Sequence, residues 1–168
     1  MSEHPNKDTN ETGNSVKPYA GIRHFTVFLD DGPSRLADLL RRFESRSCRL
    51  VSFSLQREPG YTIAHFLLHP SSVGREVLER AGLPIVENRL LAVRLGPGPQ
   101  PLLQVCLPLA RENVEVHAGQ VLAVAGKNAS IAILTVNDVA SACEVLEERG
   151  FKLVTDEDLF GPEEDSGA

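Results

Sequence analysis

At 168 residues, the chain has room for one domain or for two small ones of roughly 70–80 residues each. Apolar residues make up 42 %, enough for a packed core; the net charge is −6 and no basic face is clustered, so no nucleic-acid partner is expected. No apolar run approaches the ~20 residues a bilayer needs and no signal-like segment opens the sequence, so a soluble cytoplasmic protein with no membrane partner is expected.

Residues 1–18 are polar and almost without aliphatics, so they cannot bury enough surface to offset the entropy of ordering and are expected to be disordered. The stretch Ile22 to Leu40, IRHFTVFLDDGPSRLADLL, then reads as a strand running through a tight turn into a helix. Phe25, Val27 and Leu29 alternate as in a strand over about 22–29. Asp30-Asp31-Gly32-Pro33 is turn chemistry, and Ser34 is placed to cap a helix over about 34–46. Leu36, Leu39, Leu40 and Phe43 recur at helical spacing. Such a strand–turn–helix aims several backbone N–H groups at one spot and favours a small anion such as a carboxylate there. The basic residues Arg35, Arg41, Arg42, Arg46 and Arg49 are offset by nearby acids and read as a solvated face.

A strand from Cys48, a turn at Glu58-Pro59-Gly60 and a strand Tyr61–Leu68 form a hairpin. A helix from Pro70 to about Ala81 follows, with Gly82 at its end. Leu83–Leu95 is extended, with a polar interruption at Glu87-Asn88-Arg89. The order is β-α-β-β-α-β. The second half repeats it. At an offset of 66, Leu36 meets Leu102, Leu39 meets Val105, Phe43 meets Leu109 and Cys48 meets Val114. At an offset of 68, Val77–Gly82 lies over Val145–Gly150.

The second copy starts with a strand Leu90–Leu95. Gly96-Pro97-Gly98-Pro99-Gln100-Pro101 leads into a helix near 101–111, with a kink or early fraying expected at Pro108. Val114–Ala125 and Ala129–Val136 form a hairpin around Gly126-Lys127-Asn128, and Asn137-Asp138 caps a helix over 138–149 that Gly150 ends. Phe151–Val154 is a closing strand, Thr155–Leu159 a last capped turn, and 161–168 a loose acidic tail. The units are 20–88 and 89–160, behind a disordered tail over 1–19, each with its own small sheet.

The three cysteines, Cys48, Cys106 and Cys143, form no CxxC pair, which argues against a disulfide framework and against zinc. Cys48 aligns with a valine in the other copy and reads as a core position, as do Cys106 and Cys143 on apolar helix faces. Alternation puts His24 and His65 on the face away from the helices, in neighbouring strands, where they could line a pocket or an interface. No histidine has metal-ligand spacing, so no metal and no cofactor is expected.

Two β-α-β-β-α-β units, the first opening with LDDGPSRLADLL, resemble the ACT domain family, in particular small stand-alone proteins of two such units. The family's loop, acidic or Asn, any residue, Pro, Gly, any residue, Leu, is filled by Asp31-Gly32-Pro33-Ser34-Arg35-Leu36, with Ser34 where glycine is usual. IVENRLLAVRL and GFKLVTDEDL resemble the join and the closing segment of such proteins, and the resemblance covers about residues 22–160.

The resemblance implies an α+β fold of two ferredoxin-like units, antiparallel sheets with helices on one face. It implies a non-catalytic regulatory protein that binds a free amino acid or similar small carboxylate at an interface between units. Asp30, Asp31, Gly32, Pro33, Ser34, Arg35 and Leu36 are then the ligand-binding residues. Backbone N–H groups take the carboxylate and Asp30 or Asp31 the ammonium. A homodimer through sheet or helix edges is also implied. In the second copy Pro97, Pro99 and Pro101 remove three N–H donors, so only the first loop is expected to bind. Two alternatives stand beside this reading: an interaction scaffold with a decayed site, and a glyoxalase-like metalloenzyme. The latter uses β-α-β-β-β units and paired His/Glu ligands, which this sequence does not display.

Overall fold

The computed structural model describes residues 19–44, 48–124 and 129–160. The first unit runs β1 (Ile22–Asp30), α1 (Arg35–Glu44), β2 (Arg49–Glu58), β3 (Tyr61–His69), α2 (Ser71–Arg80) and β4 (Ile85–Leu95). The second continues through α3 (Pro101–Arg111), β5 (Val116–Val124), β6 (Ala129–Val136) and α4 (Val139–Glu148), and α5 (Asp156–Phe160) follows. The strands form one antiparallel sheet in the order β2-β3-β1-β4-β6-β5.

The expectation of two separate small sheets is corrected here. Glu87, Asn88 and Arg89 do not interrupt the chain; they lie inside an eleven-residue β4. Its first half pairs with β1, Ile22 opposite Leu90 and Val27 opposite Ile85, and its second half with β6, Leu91 opposite Leu134. The strand survives because its charges have partners: Glu87 meets Arg23 at 3.4 Å and Arg75 at 3.1 Å, and Arg89 reaches Asp156 at 3.9 Å.

Strand alternation builds two apolar layers on one face. Phe25, Val27, Leu29, Phe66 and Leu68 pack under Leu39 and Phe43 of α1 and Val77 and Leu78 of α2. Leu91, Val93, Leu95 and Leu134 pack under Val105 and Leu109 of α3 and Ala142, Cys143 and Leu146 of α4. Odd-numbered residues of β4 serve both layers, so α1 to α4 all cover the same face. The helix at 71–80 also sets the first unit apart from a β-α-β-β-β pattern. Gly60, with φ 90°, makes the β2–β3 turn, and Gly82, with φ 68°, ends α2 in the left-handed region as its position after Ala81 predicts.

The other face is concave. Ile22, Leu67, Leu90, Ala92, Ile131, Ile133 and Val154 form a third apolar cluster there, joined by Val51 of β2, Leu122 of β5 and Leu159 and Phe160 of α5. The right-handed twist of the sheet brings its edges towards each other: Ser52 Oγ of β2 donates to Gln120 Oε1 of β5 at 3.2 Å. The short α5 closes one end, its Phe160 ring stacked on His69 at 4.4 Å with the Arg49 guanidinium 5.9 Å above it.

Two further expectations are corrected. The closing strand Phe151–Val154 reduces to one bridge, Val93 with Leu153, flanked by Arg94 N–H to Lys152 O and Val154 N–H to Ala92 O, each 2.9 Å. Tyr19 is the reason. Its hydroxyl accepts from the Ala92 amide at 2.9 Å and donates to the Val154 carbonyl at 2.7 Å, so a side chain replaces ladder bonds. Helix α3 does not fray at Pro108. It runs on to Arg111, because Val105, Pro108 and Leu109 are buried together and the carbonyl left without its amide belongs to the solvent-exposed Gln104. The α4 cap is as expected: Asp138 accepts from the Ser141 amide at 3.0 Å and from its hydroxyl at 2.7 Å. Thr155 and Asp158 cap α5 reciprocally, with Asp158 N–H to Thr155 Oγ1 at 3.3 Å and Thr155 N–H to Asp158 Oδ2 at 3.0 Å. The Gly126–Asn128 turn and both tails lie outside the described residues.

Candidate functional site

The corner between β1 and α1 holds all seven residues read from the sequence as a ligand site. Asp30 ends β1, residues 31–34 form the exposed turn, and Arg35 and Leu36 open α1. The turn is held by the Arg35 amide on the Gly32 carbonyl at 3.4 Å and by the Asp38 amide on the Ser34 carbonyl at 2.9 Å. The N–H groups of Leu36 and Ala37, in the first turn of α1, have no intrahelical carbonyl to bond, and the helix dipole adds partial positive charge there. Beside the corner is a cleft of about 90 Å³ between Leu29, Asp30, Arg35, Asp38, Leu39 and Arg42 on one side and Ala81 and Leu83 on the other. It brings two guanidinium-bearing and two carboxylate-bearing residues to one place, a pattern that suits a zwitterion. Asp31 lies outside this lining, 3.6 Å from Arg57 in an exposed pair. Leu36 is turned into the α1 core instead.

The corresponding loop of the second unit follows the other end of β4. Because β1 and β4 are antiparallel, the two loops sit at opposite ends of an eleven-residue strand, roughly 30 Å apart along it. Gln100 precedes α3 with no side-chain cap bond, and Pro101 occupies the first helical position.

A second concavity was only half legible in the sequence. His24 of β1 and His65 of β3 do sit in neighbouring strands, away from the helices, with their rings stacked at 5.3 Å and 20°. The sheet's curl then brings the second unit against them. A cavity of about 170 Å³ is lined by His24, Ser54, His65 and Leu90 from the first unit's strands and by Ala118, Gly119, Gln120, Ile133 and Thr135 from β5 and β6. The His65 Nδ1 is 3.1 Å from Thr26 Oγ1, whereas the buried Nδ1 of His24 has no hydrogen-bond partner among the described residues. Burial, and then the neighbouring His65, push the His24 imidazole down from 6.5 to about 4, and burial lowers His65 too. His117 lies apart, beside Glu115 at 3.5 Å. A third depression, between α2 and strands β1 and β4, carries Arg75, Glu79 and Glu87, whose charges are spent on one another at 2.8 and 3.1 Å.

All three cysteines have thiols pushed up by burial, the opposite of an activated nucleophile. Among the described residues no three His, Cys, Asp or Glu side chains converge as a metal site, and no helix is long and apolar enough to cross a membrane.

No protein-family model matches the sequence, and no curated protein matches it. Solved structures do. Protein BT0572 from Bacteroides thetaiotaomicron superposes with a TM-score of 0.76 at 15 % identity, over 85 % of this chain and 98 % of that one. The ligand-free regulatory subunit of aspartate kinase from Thermus thermophilus gives a TM-score of 0.54 at 12 % identity, over 78 % of this chain and 94 % of that one. Aspartokinase alpha and beta subunits give 0.50 at 15 %, over 75 % and 90 %. The chain has the ACT fold. In this ACT fold the first unit is a complete β-α-β-β-α-β, and the second borrows the end of β4 as its first strand.

Proposed function

We propose that this protein is a non-catalytic regulatory protein that binds a free amino acid at the β1–α1 corner. The observation that carries the reading is the convergence there of the open first turn of α1 with Arg35 and Arg42 and with Asp30 and Asp38 around one cleft. The ligand carboxylate lies against the α1 amides and a guanidinium, and its ammonium against Asp30. At about 90 Å³ the cleft suits the main-chain end of an amino acid, and the side chain projects from it. In this reading the ligand lies at an interface between units, supplied by a second copy in a homodimer, because β1 and α1 meet only their own unit at this corner. The regulatory neighbours of the same fold add support.

Thermal-shift screening against the free amino acids tests this. A ligand at 100 times its dissociation constant should add about 2.7 kcal/mol of stability. A shift with none of them sinks the proposal.

An interaction scaffold is the second reading, and α3 favours it. Its outer face exposes Leu103 at 48 % and Leu107 at 44 %, one helical turn apart. A concentration-dependent mass that Leu103→Glu abolishes, with no amino-acid shift, would select it.

A further inference from the structure

We propose that the cavity on the concave face is a second binding site, for a small oxyanion that is taken up together with a proton. All six strands wall the cavity or hold its walls together, and its polar groups come from both units: His24, Ser54 and His65 from one, Gln120 and Thr135 from the other. Each of these can present a proton to an acceptor. The carbonyl of Gln120 is already taken by Ser52, which leaves its amide N–H₂ as the free end, and the Nδ1 of His24 is buried without a partner among the described residues. About 170 Å³ holds a phosphate or a short carboxylate with a few waters.

Charge on this face supports the assignment. By alternation, β1 presents His24 and Thr26 here, β2 Ser52, Ser54 and Gln56, and β3 Ile63, His65 and Leu67. The others present Asn88 and Leu90 (β4), Ala118 and Gln120 (β5) and Ile133 and Thr135 (β6). The charged groups on the same face lie beyond the cavity: Glu58 towards one end, and Arg49 and Arg94 towards the other, where α5 packs with Asp156, Glu157 and Asp158 and Phe160 covers His69. Asp30, at the end of β1, lines the α1 cleft instead. Two imidazoles therefore face each other with no carboxylate in the lining to neutralise them. An oxyanion supplies that missing charge, and with it bound one ring gains its proton. The site draws on residues of both units, so its occupancy joins the back of one to the back of the other. It uses none of the residues of the β1–α1 corner, so either site can fail without the other.

Imidazole titrations followed by NMR test the proposal directly. The full chain is titrated in a buffer of bulky sulfonate anions, then with millimolar inorganic phosphate, and then with acetate. The expected result is that the midpoints of His24 and His65 rise by about one pH unit or more, a tenfold preference of the anion for the protonated form, while exposed His117 does not move. A rise with phosphate alone assigns the site to phosphates, one with acetate alone to carboxylates, and one with both to small oxyanions at large. Gln120→Ala, which leaves both rings in place, should shrink the rise. Midpoints that ignore both anions show a cavity holding water and overturn the proposal. So does a rise that His117 shares equally, which reports general anion screening.

Discussion

Acid should unfold this protein through His24 before it touches the carboxylates. The ring is neutral in the folded state, held down to about 4 from 6.5 by burial and by His65. In the unfolded chain it binds a proton at its ordinary value, so the unfolded state holds more protons between those two pH values and stability falls as pH falls. The contribution is complete above pH 6.5 and is lost once pH has dropped through about 4. The full shift corresponds to about 3 kcal/mol, and solvent reaching the part-exposed ring brings that nearer to about 2 kcal/mol. His65 adds in the same direction. Among the described residues the carboxylates with resolved shifts, Asp138 and Asp158, sit below 3.8 and give way only in stronger acid, so the two windows separate. Urea unfolding across this range should give a falling free energy for the natural sequence and a flatter one for His24→Leu, which fills similar space without a proton site. Equal slopes for the two proteins would falsify this account of the pair.

Other outcomes follow from single contacts. Asp30→Ala should weaken amino-acid binding with little effect on stability, since Asp30 is exposed at the end of β1; calorimetric binding with unchanged affinity removes Asp30 from the site. Gly74→Ala, normally favourable in a helix, should cost about 1–3 kcal/mol in urea unfolding, because the new Cβ would lie 2.6 Å from the Leu68 Cβ and Cδ1. Tyr19→Phe should cost about 1–2 kcal/mol and speed amide exchange at Ala92, which loses its acceptor. Asp138→Ala should cost about 1 kcal/mol in the same unfolding assay by uncapping α4.

Much of this fold is legible along the chain, since local chemistry sets it. Asp138 announces α4, Gly82 ends α2, and Phe25, Val27 and Leu29 declare which face of β1 is covered. What is not legible comes from distant partners. Glu87 and Arg89 read as a break because nothing nearby in sequence reveals Arg23, Arg75 or Asp156 waiting beside them. Tyr19 looks like the last residue of a polar tail, and its hydroxyl nonetheless replaces ladder bonds 73 and 135 residues away. The β1–α1 corner was visible as a turn motif, whereas Arg42, Ala81 and Leu83 join it only through the packing of α1 beside α2. The opposing walls of the histidine cavity depend on the curl of six strands, which no window of sequence contains.

The common strand β4 leaves the two halves without a hinge. Any message passing between them has to travel as a change of twist along an unbroken ladder, with α1 to α4 carried on its outer side. The part of the molecule with most freedom to register that change is the seam where β2 and β5 approach without pairing, bridged by Ser52 and Gln120. Opening or narrowing that seam is the movement the architecture leaves available.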